Sequence, residues 1–236
     1  MANLQPNIDT IKSGNLVGAD LSGMDLRSYK FRKANLKGAN LSHCNIVEVD
    51  FWGANLQGAT LDNANARLAS MQGADLSGSM CVEVNFWGVN FKIANMSGAV
   101  LHNSTIAQAD LPGAICDAAN FSSSNMFGVD LRLASLKECN FGKVDLSGSR
   151  LDSANFTKSN FRNSELINAT ARGVDFSYCD FNSANLEDAN LRGANLSHAD
   201  FTSSNLRDAS FLDSIMKNTV MPDGTINDQS IRTWSN

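Results

Sequence analysis

Eight side chains in this 236-residue chain are natural nucleophiles, general bases or metal ligands: Cys44, Cys81, Cys116, Cys139, Cys179, His43, His102 and His198. A thiolate activated by an imidazole makes a covalent nucleophile, and mixed Cys/His sets at short spacing hold zinc. No two of the five Cys stand in a CxxC-type pair, the spacing that a zinc or redox motif needs. No Gly-rich loop is placed between a strand and a helix to cradle phosphate. Two octapeptides invite a different chemistry. Residues 48–55 read EVDFWGAN and residues 83–90 read EVNFWGVN, which looks like a doubled binding site built around Trp52 and Trp87.

Whether such groups meet depends on the elements that carry them. Apolar residues make up 43% of the chain and the net charge is −5, so a sizeable core is available. A mild acidic excess argues against binding nucleic acid directly through phosphate neutralisation. No charged stretch followed by an apolar one marks a signal peptide. No apolar run approaches the ~18 residues of a membrane helix. With thiols in no disulfide-like arrangement, the expected location is the cytoplasm.

Reading every fifth residue from Leu16 to Met216 gives 41 positions without a slip of phase: 19 Leu, 12 Phe, 4 Met, 2 Ile, 2 Cys and 2 Ala. Two residues before each of these centres the side chain is nearly always small, Ala in 21 cases of 41, and one before it is Asn or Asp in 28. Gly falls two after the centre 14 times. The unit is small, Asn/Asp, Leu/Phe, polar, polar or Gly. A period of five fits neither the 3.6 of a helix nor the 2 of a strand. It fits a solenoid whose five-residue step is a short extended piece and a turn, with one large and one small side chain inward. Asn, Asp and Gly suit the turn because they bond local backbone or accept positive φ.

The pattern resembles the pentapeptide repeat family, whose signature is A-(D/N)-L-x-x; residues 184–203, ANLEDANLRGANLSHADFTS, are a near-consensus run. The resemblance implies an all-β solenoid, a right-handed quadrilateral β-helix with four repeats per coil, about ten coils, no loop insertions and a length of roughly 50 Å. It places an N-terminal cap at residues 1–13, the β-helix at 14–216 and a C-terminal cap or tail at 217–236. Pro222-Asp223-Gly224 is a turn signal that ends the array, and Ile231 and Trp234 are placed to fold over the last coil. The ending resembles that of some bacterial, notably cyanobacterial, members.

On this frame all five Cys fall inward and all three His outward. No Cys–His pair, metal site, catalytic residue or cofactor site is expected, and the chain reads as no enzyme. With four repeats per coil, the face centred on Phe31, Phe51 and onward carries net +3, with Lys92, Arg132, Arg150, Arg172 and Arg192 as its candidate basic residues. The face centred on Leu26 and Ile46 carries net −4. Trp87, Phe127 and Ile167 share one outward column on that acidic face, two coils apart each, with Ala107 and Ser147 between. Trp52 lies on the adjacent face. Two readings stand for the charged faces: solvated surfaces with ladders such as Arg132–Asp152–Arg172, or an oriented interaction surface. Two stand for the apolar column: chance, or a partner site.

The expected function is a non-enzymatic scaffold that binds an unknown protein partner, touches neither membrane nor nucleic acid, and has a C-terminal end open to self-association. The alternative is a DNA mimic that modulates a type II topoisomerase, as the quinolone-resistance branch of the family does. Its length suits that role and its charge does not: ~50 Å of duplex carries about 29 negative charges, against −5 here. The chain also reads as a possible repeat domain of a larger protein.

Overall fold

The computed structural model describes residues 13–228, 230 and 231. Trp234 and all but Ser13 of the N-terminal cap lie outside them. The five-residue step is a turn and a bridge. The centre's carbonyl accepts the N–H of the residue three places on, as from Ala19 to Leu16 (3.1 Å) and from Ala34 to Phe31 (3.0 Å). The residue two after the centre has positive φ from Gly18 to Asn218, Ser28 excepted, between 53° and 71°. A bonded turn with φ above zero at its third residue is type II. This explains the glycine phase, since only Gly adopts that conformation without cost.

Between turns, the residue before each centre, Lys30 excepted, makes an isolated parallel bridge to the residue twenty further on, from Asn15↔Asn35 to Asp200↔Val220. Four repeats therefore complete one circuit of the chain before it meets itself. Each repeat is tied to the neighbouring circuit by several bonds. Leu16 N–H donates to Asn35 O (2.7 Å), Gly18 N–H to Lys37 O (2.9 Å), and Asn35 N–H to Gly14 O (2.7 Å). These ladders satisfy the backbone in segments that are only one bridge wide.

The Asn/Asp phase lies in the bridge rather than in the positive-φ turn. Its side-chain oxygen accepts the N–H two residues on, for example Asp50 Oδ1 from Trp52 (2.9 Å) and Asp145 Oδ1 from Ser147 (2.9 Å). That is an Asx turn. Carboxamides also link circuits, as Asn160 Nδ2 donates to Asn140 Oδ1 (3.0 Å). The small phase is buried at the corner. At several of its Ser, Thr and Cys the side chain reaches a centre carbonyl one circuit back: Ser104 Oγ donates to Cys81 O (2.7 Å), Ser124 Oγ to Leu101 O (2.7 Å) and Thr219 Oγ1 to Leu196 O (2.8 Å), whereas Ser164 Oγ donates to Phe161 O of its own turn and the Ser204 and Ser214 hydroxyls have no hydrogen-bond partner among the described residues. Ser104 Oγ in turn accepts Val84 N–H at 3.0 Å, in place of the turn bond that Cys81 O otherwise receives.

Every centre is buried. Phe121, Phe141, Phe161, Phe181 and Phe201 stack on one face at ring separations of 5.1, 4.9, 4.8 and 4.8 Å, and Phe156 and Phe176 meet this column edge-on. Offset stacks and edge contacts are the favoured ring geometries.

The phase continues past Met216, with Thr219 and Met221 buried. A turn over 221–225 then reverses the chain, with Met221 N–H donating to Thr225 O (2.8 Å). Four short strands close this end: β1 (Ser214–Ile215), β2 (Thr219–Val220), β3 (Ile226–Asn227) and β4 (Ser230–Ile231). β3 pairs antiparallel with β2, and β4 with β1. The returning segment thus covers the exposed edge of the last circuit on two consecutive faces, as an open edge requires.

Phe161 touches four other rings. Phe161→Ala is expected to cost roughly 3–5 kcal/mol, read as a lowered midpoint in thermal or denaturant unfolding. An unchanged midpoint would place the side chain outside the core.

Candidate functional site

The five thiols are buried. Burial pushes the Cys44 pKa up to about 11 and those of Cys81 and Cys139 up to about 12, and raises Cys116 and Cys179 as well. They stay protonated at neutral pH, so they are compact core residues and not nucleophiles. Cys44, Cys139 and Cys179 donate their S–H to the carbonyls of Leu21, Cys116 and Phe156. The imidazoles are on the outside, and His198 stacks on Tyr178 with ring centroids 4.6 Å apart. Among the described residues no three of His, Cys, Asp and Glu gather as metal ligands do. No helix there is long and apolar enough to cross a membrane.

What this molecule can do chemically is therefore decided by its outer surface. Of the five candidate basic residues, four are engaged by carboxylates. Lys92 pairs with Asp110 (3.2 Å), Arg172 with Asp152 (3.0 Å), and Arg132 (2.8 Å) and Arg150 (3.4 Å) converge on Asp130. In the expected ladder Arg132–Asp152–Arg172, Asp152 pairs directly with Arg172 and feels the charge of Arg132 at longer range. Arg132 turns along its own circuit to Asp130, two residues away, and makes a two-pronged contact there. Asp130 is held by its Asx turn in the best position for such a fork. Burial alone raises the Asp130 pKa, but the hydrogen bonds from Arg132 and the charge of Arg150 bring it below the ordinary value. Arg192 has no acid at ion-pair distance among the described residues.

The two Trp have different surroundings. Arg32 and Lys33 lie over the Trp52 ring, 4.8 and 5.2 Å from its centroid, and Arg32 also pairs with Asp50 (2.9 Å). Trp52 is a platform for cations of its own chain. Arg67 lies 4.5 Å over Trp87, and with Asn85 and Thr105 they line a shallow depression of about 320 Å³. The two octapeptides thus build separate environments, not two halves of one site.

The Trp87 column is an apolar corner. Phe127 is 49% exposed, Ala107 only 7%, and Ile167 is half-buried. Phe127 leans over Gly148, whose Cβ, were it present, would lie 3.8 Å from the ring. Sequence reasoning missed Leu68. It occupies the phase expected to be Gly or polar, takes φ of 59°, and lies across Gly88 beside Trp87. The signal that identifies it is an apolar residue at a turn position.

The same signal marks a second pair that sequence reasoning passed over. Ile93 and Leu133 lie on the basic face at φ of 53° and 61°, 65% and 70% exposed. For a β-branched residue this is an outlier, costing about 1–2 kcal/mol. Gly73 and Gly113, directly below and above Ile93 in the same corner, show what the turn prefers.

The family model for pentapeptide repeats matches eight copies over residues 15–46, 44–79, 81–115, 114–152, 149–188 and 184–221. Among solved structures, HetL of the cyanobacterium Nostoc sp. strain PCC 7120, a pentapeptide repeat protein involved in heterocyst differentiation regulation, is 28% identical. That match covers 90% of this chain and 91% of HetL at a TM-score of 0.49. Trypsin-treated QnrB1, a plasmid-mediated fluoroquinolone resistance protein, is 20% identical over 70% of this chain and 86% of its own, with a TM-score of 0.42. Rfr23 of the cyanobacterium Cyanothece 51142 is 25% identical over 60% and 90%, with a TM-score of 0.31. No curated protein matches.

The hydrogen bonds of Arg172 hold the Asp152 pKa below its ordinary 3.8. A depressed carboxylate stabilises fully above the unfolded pKa and loses that contribution as the pH falls through the folded one. Asp152→Asn should melt a few degrees below wild type at neutral pH, and the gap should close as the pH falls well below the ordinary carboxylate range. A gap of equal size at neutral and at acid pH would show that the ion pair contributes nothing.

Proposed function

The chain belongs to the pentapeptide repeat family, and from that premise we propose that it is a non-enzymatic cytoplasmic scaffold that binds a protein partner through its apolar corner. In this reading the rod is a right-handed quadrilateral β-helix of about ten coils, capped by residues 1–13 and 217–236. The observation that carries it is the column Trp87, Phe127 and Ile167, joined by Leu68, on a face otherwise polar and acidic. Aromatic side chains in a polar rim are the usual anchors of protein interfaces. The reactive groups that an enzyme needs are divided between the inside and the outside. The half-neutralised basic face suits docking of a protein better than phosphate binding, because its cations already have carboxylate partners.

The second reading, a DNA mimic acting on a type II topoisomerase, is favoured by the rod shape and opposed by the charge. A mimic must present an acidic surface, and here one face carries net +3.

Two measurements separate these readings. Immobilised wild type should retain a partner that the Trp87→Asp/Phe127→Asp double variant loses, both remaining folded by circular dichroism; identical partner lists would remove the corner as the site. Added to a gyrase supercoiling reaction, the protein is expected to leave the rate unchanged, and inhibition at micromolar protein would promote the second reading.

A further inference from the structure

Ile93 is the one β-branched residue at a positive-φ turn among the described residues, and Leu133 is the most exposed large apolar side chain there. Both hold a left-handed backbone that Gly adopts freely, and both expose most of their side chain to water. Neither packs a core, and neither helps the turn. Ile93 leans over Gly113, whose Cβ, were it present, would lie 3.6 Å from Cγ2. With Pro112 the two side chains form an apolar ridge whose flanking charges, Lys92 and Arg132, are neutralised by Asp110 and Asp130. A fold that pays strain to display apolar groups is prepared for contact.

We propose that this ridge docks on the Trp87 corner of a second copy of the same chain. Three observations favour that occupant. Ile93 and Leu133 are forty residues apart, two circuits, as are Trp87 and Phe127, and Phe127 and Ile167. The two surfaces therefore share one axial period. Between the large side chains of the corner lie the small ones, Ala107 and Ser147, also forty residues apart. A shift of less than one circuit along the rod brings Ile93 and Leu133 over these two places together. The faces are complementary in charge, +3 against −4, which orients the encounter and disfavours the basic face meeting itself. Because the contact joins two different faces, a dimer keeps one ridge and one corner free, and the assembly grows past it.

The inference rests on the reading of the Trp87 corner as a partner surface and names the partner. The test is mass in solution, by sedimentation up to about 0.5 mM protein, a concentration at which even weak contacts register. Wild type is expected to exceed a dimer as concentration rises. Ile93→Gly/Leu133→Gly removes the ridge while relieving its strain, so it should be monomeric with a melting temperature at or above wild type. Phe127→Asp, which removes the corner, should also be monomeric. An equimolar mixture of the two variants should form dimers and stop there, because one intact ridge meets one intact corner. A monomeric wild type, a ridge variant that still associates, or a mixture that stays monomeric overturns the proposal. If wild type is monomeric while the corner variant still loses a captured protein, the self-docking fails and the partner reading stands. If wild type associates as described and capture is unchanged by the corner variant, the corner serves self-docking alone.

Discussion

One turn, repeated, governs this molecule. Its third residue is forced into the left-handed region, and its first carbonyl is fixed by the N–H three places on. That geometry returns the chain by a quarter of a circuit every five residues, so residue n always lies beneath residue n+20. Backbone satisfaction, core packing and surface layout follow from it. The bridge is a single residue wide, and such a narrow contact is stable only because the same rung recurs above and below it. Large centres fill the interior and small residues fill the corners. Ala, Ser, Val and Cys occupy these buried corners almost throughout.

How much of this was legible in the sequence depended on which interaction decided the outcome. Burial of Phe161 or Leu36 is dictated by volume and polarity, and both fall in the phase that periodicity identifies. The antiparallel return of residues 226–231 was signalled only by Pro222-Asp223-Gly224 and the apolar Ile231. The direct fork from Arg132 to Asp130 was not legible beside its longer-range attraction to Asp152, because the choice between the two acids is one of rotamer and Asx geometry, which composition does not carry. The apolar corner was legible where its members occupy the outward phase next to the centre, as Trp87 and Phe127 do. It was not legible at Leu68, Ile93 and Leu133. Those residues occupy the turn phase, where glycine and polar residues set the expectation, and their meaning comes from a backbone angle that the sequence does not display.

The division of chemistry between inside and outside bears on what such a molecule can evolve to do. Three thiols sit in corners where their S–H groups serve backbone carbonyls, the other two, Cys81 and Cys116, are core centres, and ionised groups mostly neutralise one another along the surface. What remains free is shape: ridges, small gaps and a few flat rings at fixed intervals. Recognition here depends on where side chains stand rather than on how strongly any one group is activated.

The quarter-circuit step has a further consequence for how the chain changes length. Loss or gain of five residues would leave the core in phase while turning every downstream face by one side, so Phe127 would leave the column of Trp87. Loss or gain of twenty would restore every column and alter only the height. A lineage that uses its faces is therefore free to lengthen by whole circuits and is penalised for single repeats. The surface, not the core, then sets the unit in which this gene can grow.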